Sequence, residues 1–202
     1  MGHKQTIKTK DDPISSLLLI GGKSRRMGSN KAFINFHGKP QWEFLQELFA
    51  KRCDASFLSL QEVLPEFTDS NYVLDDGKGL GPMAGLLASF EKNSNTAWLL
   101  SAVDMPNIND SAVQYLLDNR ASNKIATAFI NRETADPDPL FTVYEKDAFP
   151  LLKEQFKDGN YSLRYFLQRN AIQLLECPNP NLLTNVNSPE ELREYRAKKA
   201  AI

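Results

Sequence analysis

A glycine pair and four cations crowd the segment "LLLIGGKSRRMGSNK", residues 17–31, directly behind its apolar start. Gly21 and Gly22 let the backbone approach a ligand closely and aim its N–H groups at oxyanions. Lys23, Arg25, Arg26 and Lys31 supply charge to neutralise that anion. The chemistry these residues suggest is the binding of a nucleoside triphosphate. The spacing is neither the Walker A pattern G-x-x-x-x-G-K-[ST] nor G-x-G-x-x-G, and a strand-to-helix turn with a solvated basic face is the competing reading. The formal net charge of the whole chain is -1. The positive charge is therefore local, and nothing global implies nucleic acid or an anionic membrane as a partner.

Two further segments carry chemistry. In "TAWLLSAVDMP" an apolar run over 97–103 stops abruptly at Asp104 and Pro106. A carboxylate there serves either as a Mg²⁺ ligand beside phosphates or as the start of a turn. In "DDGKGLGPMAG", residues 75–85, three glycines including Gly81 precede Pro82. They form a second close backbone approach, with Asp75 or Asp76 reaching a sugar hydroxyl, a base or the metal, or else a plain flexible turn. In an open parallel sheet, ligands lie outside the carboxyl ends of the strands. All three segments fall at predicted carboxyl ends, and that coincidence outweighs any one of them.

The elements that must hold these segments follow from hydrophobic periodicity. Short apolar runs predict strands over 14–20, 55–60, 71–74, 97–103 and 124–130; helical spacing predicts helices over 41–51, 83–92 and 111–119, the last capped by Asp110 or Ser111. Strands alternating with helices imply a Rossmann-like, mostly parallel sheet with helices on both faces, a three-layer α/β sandwich. The last third changes style. It offers a strand over 140–144, a helix to about 155, a short helix in "GNYSLRYFLQRN", a strand over 171–176, and a charged helix after Ser188 with Pro189 in its first turn and Glu191 completing a capping box. A small antiparallel addition is expected there. Residues 14–202 are expected to form one domain, behind a disordered polar tail over 1–13.

Other chemistries find little support. Cys53 and Cys177 lie far apart without C-x-x-C spacing, and His3 and His37 are the only histidines. Neither a disulfide framework nor a zinc site is indicated. No apolar run approaches the ~20 residues of a membrane span. The leader lacks the apolar middle of a signal peptide, and Gly2 with Thr6 matches the myristoylation pattern only loosely. A cytoplasmic protein is expected.

"LLIGGKSRRMGSNK" resembles the signature loop of the molybdenum cofactor guanylyltransferases, roughly L-A-G-G-x-S-x-R-M-G-x-D-K, within the wider nucleotidyltransferases. "GPMAG", "VDMP", "PLFTVY", "SLRYFL" and "NVNSPEEL" follow in the family's order, so that the likeness runs from about residue 14 to 195. The resemblance implies transfer of GMP from GTP to the terminal phosphate of molybdopterin, releasing pyrophosphate, with Mg²⁺. It implies that Leu19, Gly21, Gly22, Asp75 and Gly81 lie on the nucleotide, and that Lys31 and Arg26 meet its phosphates. It also implies that Asp104 holds Mg²⁺ and that Asn185 and Asn187 lie near the pterin. Lys31, Arg26 and Asp104 would carry catalysis. Transient contact with proteins that deliver or receive the cofactor is expected of the family.

Two positions depart from the pattern: Ile20 replaces alanine, and Asn30 replaces the aspartate before the lysine, removing one negative charge near a triphosphate. The acceptor phosphate would already be anionic, so no strong general base is required, in keeping with the scarcity of histidine. A relative that uses CTP or a sugar phosphate, and a non-catalytic nucleotide-binding relative, stand as alternatives.

Overall fold

Ile14–Leu19 (β1) and Ala97–Ala102 (β4) lie side by side in parallel, and both are apolar enough to be covered on two faces. The computed structural model describes residues 12–20, 31–75, 79–132 and 134–200. Most of the expected tail, residues 1–11, lies outside them. On its other side β1 pairs in parallel with Ala55–Leu60 (β2), which pairs with Tyr72–Leu74 (β3). Beyond β4 come Pro137–Tyr144 (β6), Ala126–Ile130 (β5) and Gln173–Glu176 (β7), giving a seven-stranded sheet of order β3-β2-β1-β4-β6-β5-β7. Only β6 runs against its neighbours; β5 and β7 are parallel to each other. The antiparallel element expected in the last third is thus a single strand set into the sheet's interior. It starts at Pro137 rather than at 140, because Pro137 still pairs with Ile130 across a register shift.

The strand period of two separates two cores. On one face Leu18 and Leu99 pack with Leu45 and Phe49 of Gln41–Ala50 (α1) and with Val113 and Leu116 of Asp110–Asp118 (α3). On the other, Leu17, Trp98 and Leu100 pack with Leu86 and Phe90 of Pro82–Lys92 (α2), Leu152 of Ala148–Lys157 (α4) and Phe166 of Leu163–Arg169 (α5). These layers form the expected three-layer sandwich. The α3 cap is one residue earlier than the periodicity suggests. Asn109 takes that role, its Oδ1 accepting from the Ala112 N–H at 2.9 Å and from the Ser111 hydroxyl at 2.7 Å. Pro189–Ala200 (α6) is polar on all sides and touches the body through few groups, Tyr195 among them: its hydroxyl donates to Asn107 Oδ1 at 2.9 Å and its ring meets Phe36 edge-on.

Two contacts set the frame rigidly. Gly85 in α2 lies so near the sheet that a Cβ there would sit 2.4 Å from Ser59 Oγ and 3.2 Å from Leu19 Cδ2. At the opposite edge, where β6 ends, Arg120 Nε and Nη2 each donate to the Glu145 carboxylate at 2.7 Å, and Nη1 donates to the Asp12 carbonyl at 2.9 Å. The Glu145 side chain is only 4% exposed.

Two outcomes follow in denaturant unfolding. Arg120→Ala strands a buried carboxylate and is expected to cost about 3–5 kcal/mol, while replacing the pair together by Met and Leu costs far less. Gly85→Val overpacks the α2–sheet contact, with an expected loss of about 1–3 kcal/mol.

Candidate functional site

Because β3, β2, β1 and β4 are parallel neighbours, their carboxyl ends form one continuous rim. Leu60 O accepts the Asp75 N–H at 2.9 Å, and Leu19 O accepts the Val103 N–H at 3.1 Å, so each ladder runs one step past its last paired residue. The three segments singled out by composition leave from this rim, as open-sheet geometry requires. Asp75 leaves from β3 and Asp104 from beyond β4, three strand spacings apart, or about 14 Å. The rim between them is long enough for an extended nucleotide.

Lys31 lies in the 3-10 turn Lys31–Phe33, which packs against α1. Its Nζ donates to Asp104 Oδ2 at 3.1 Å and to Asn187 Oδ1 at 2.7 Å. Three expected site residues, 156 positions apart at the extremes, therefore meet at one ammonium. The Lys31 and Asp104 side chains are 16% and 19% exposed, sheltered enough to strengthen their attraction. The Asp104 backbone carbonyl accepts the Val186 N–H at 2.8 Å, which brings the 184–188 loop onto the same spot.

Asn185 lies one residue away but points elsewhere. It lines a cavity of about 300 Å³ with Ile130, Asn131, Arg132, Leu183 and Thr184, where β5 ends. Asp104 Oδ1 and Asn185 Oδ1 are both buried and find no hydrogen-bond partner among the described residues. Orphaned oxygen acceptors of this kind suit a hard cation. Among the described residues no group of three or more His, Cys, Asp or Glu could cage a metal. Any metal here would thus rest on Asp104 and on ligand oxygens, the usual arrangement for Mg²⁺ with phosphates.

Gly81 is the N-cap of α2 at φ +80, a backbone conformation that favours glycine, and no side chain caps this helix. The α2 N-terminus faces the rim, where its dipole favours an anion. Leu19 is partly exposed at the end of β1, its side chain towards α2. Gly21, Gly22, Arg26 and Asn30 lie outside the described residues, as does Asp76.

One rim residue lies outside the segments that the sequence marks. Trp98–Tyr144 through Ser101–Phe141 fix the β4–β6 register, and because β6 runs against β4 its start, with Asp138, comes to the end of the sheet beyond which Asp104 lies. Burial pushes the Asp138 carboxyl above its ordinary range, and the Asp104 charge adds to that, although Asp138 accepts the Leu140 and Phe141 N–H groups at 2.9 and 3.0 Å. Carboxylates at the rim were sought at the ends of strands. Asp138 stands at the start of one, and only the reversed direction of β6 brings it there.

The chain matches the MobA-like NTP transferase domain over residues 16–174. It is 32% identical over 182 residues to a "Molybdenum cofactor biosynthesis bifunctional protein" of Synechocystis sp., covering 89% of this chain but only 52% of that one. The chain thus spans about half the length of that relative. It is 30% identical to a "Molybdenum cofactor guanylyltransferase" of Pseudomonas putida, covering 90% of this chain and 96% of that one. In fold it is similar to the molybdopterin-guanine dinucleotide biosynthesis protein A of Archaeoglobus fulgidus, with a TM-score of 0.76, 19% identity, and coverage of 93% of this chain and 100% of that one. With the family match running through the whole strand-and-helix frame that builds the rim, this chain belongs to the MobA-like NTP transferase domain family.

Proposed function

We propose that this protein transfers GMP from GTP to the terminal phosphate of a molybdopterin-type acceptor. The acceptor phosphate oxygen attacks the α-phosphorus of GTP, the bond between the α-phosphorus and its bridging oxygen breaks, and pyrophosphate departs with that electron pair. The observation that carries the reading is the Lys31 ammonium held between Asp104 and Asn187 at the carboxyl rim. Relatives that are molybdenum cofactor guanylyltransferases support the choice of substrates.

Lys31 meets the triphosphate and, with Arg26, spreads charge over it. Gly21, Gly22 and Gly81 bring backbone to the nucleotide, Asp75 reaches its sugar or base, and Leu19 contributes an apolar wall. Asp104 holds Mg²⁺, for which its orphaned Oδ1 is suited. Bound there, Mg²⁺ would neutralise phosphate charge. Asn185 lines the cavity that takes the acceptor, close enough to Asp104 through Val186 to bring the two phosphates together. Positioning and charge neutralisation supply most of the acceleration, because the nucleophile is already anionic. The acceptor would reach the protein by transient contact with other proteins of the same biosynthesis in the cytoplasm. No helix among the described residues is long and apolar enough to cross a membrane.

Calorimetry with GTP, CTP and ATP in the presence and absence of Mg²⁺, followed by pyrophosphate release with molybdopterin, tests the assignment. Preference for GTP, dependent on Mg²⁺ and followed by turnover, is the expected result. Preference for CTP, or tight GTP binding without turnover, overturns it. Lys31→Ala is expected to lower kcat/KM for GTP by about 10²–10³, the scale of losing a preorganised electrostatic group. Near wild-type turnover in that variant at saturating GTP would remove Lys31 from the mechanism.

A further inference from the structure

We propose that Asn187 is a positioning residue for Lys31 on the nucleotide side, and does not contact the acceptor. This rests on the reading that Lys31 meets the triphosphate. The family resemblance places Asn185 and Asn187 together near the pterin, yet here they part. Asn185 lines the cavity with an unpartnered Oδ1, whereas Asn187 Oδ1 accepts from Lys31 Nζ at 2.7 Å.

A lysine ammonium has three donors on a flexible four-carbon stem. Asp104 Oδ2 and Asn187 Oδ1 take two of them, at 3.1 and 2.7 Å, which fixes the stem and leaves the third for a phosphate oxygen. A single acceptor would let the ammonium swing about that bond; two acceptors on separate elements define its place. Once a cation sits on Asp104, the attraction of that carboxylate for Lys31 weakens, and Asn187 becomes the neutral partner that still holds the ammonium.

Asn187 is itself held from both sides. The preceding residue, Val186, is buried and donates its N–H to the Asp104 carbonyl at 2.8 Å. The Asn187 N–H donates to Glu191 Oε2 at 2.6 Å. In an ordinary capping box that carboxylate would take the N–H of the cap residue, Ser188. Ser188 keeps its half of the box, its Oγ accepting the Glu191 N–H at 3.2 Å, but Glu191 reaches one residue further back and pins Asn187 instead. The first turn of α6 thereby fixes the asparagine that fixes the lysine.

Calorimetry of GTP with Mg²⁺, steady-state kinetics with both substrates, and thermal melting separate this role from others. Asn187→Ala is expected to weaken GTP binding and lower kcat/KM for GTP about tenfold or more, the scale of losing a hydrogen bond to a charged group. The KM for the acceptor and the melting temperature should hardly move. Asn187→Asp keeps an acceptor for the ammonium and loses both amide donors, so it should recover most of the GTP affinity. Lys31→Ala combined with Asn187→Ala should bind GTP no more weakly than Lys31→Ala alone.

A rise in acceptor KM alone, failure of Asn187→Asp to recover GTP binding, or additive losses in the double variant each overturn the proposal. A wild-type-like Asn187→Ala beside a weakened Lys31→Ala removes the role of Asn187 and leaves that of Lys31 standing. A Lys31→Ala protein that binds GTP like wild type overturns the phosphate role of Lys31, and this proposal with it.

Discussion

Two polyanions repel each other, and a protein that joins them must supply positive charge where they meet. This chain has a formal net charge of -1, so its overall field gives no help. The charge has to be concentrated and held. In the proposed reaction the Lys31 ammonium, between the Asp104 carboxylate and the Asn187 amide, is the group among the described residues that would do so. Its two acceptors come from the end of a central strand and from a loop far along the chain. Neither could be in place unless β1 and β4 lay side by side in parallel and the 184–188 loop folded back onto Asp104.

The sheet divides its two edges between chemistry and stability. At the carboxyl rim, oxygen atoms of Asp104 and Asn185 are buried without partners among the described residues, a local cost of the kind found at functional sites. At the opposite edge the Arg120–Glu145 pair is sheltered and doubly hydrogen-bonded, each carboxylate oxygen accepting from the guanidinium. Between them, Gly85 lets α2 press against β1 and β2, so the helix whose N-terminus faces the rim has little freedom to shift.

The reversed strand β6 has a consequence for the rim's electrostatics. It places the beginning of a strand among the ends of others, and so brings Asp138 to the rim that carries Asp104, close enough for the Asp104 charge to add to the upward push that burial gives the Asp138 carboxyl. The same reversal puts the cavity at the end of β5 on the rim side, next to Asn185. The halves proposed for nucleotide and acceptor are thus neighbours along one edge.

Much of this was legible in the order of residues. Apolar runs of strand length alternating with helical periodicity dictate a layered α/β sheet, because each element has a face to bury and the periods 2 and 3.6 say which. Glycines and lone carboxylates at the ends of such runs mark Asp75, Gly81, Lys31 and Asp104 as rim residues, since only an interrupted apolar pattern frees a polar group at a strand end. An antiparallel element was expected in the last third, but its place inside the sheet beside β4 was not readable: an apolar run has the same composition at an edge or in the interior, so Asp138 stayed hidden. Nor could spacing separate Asn185 from Asn187. Two residues apart in an irregular loop, they differ only in what the folded chain brings to them, a cavity wall in one case and the ammonium of Lys31 in the other. Those pairings join positions 73 and 156 residues from Lys31. Packing of the whole sheet decides them, because no local property of the chain reaches that far.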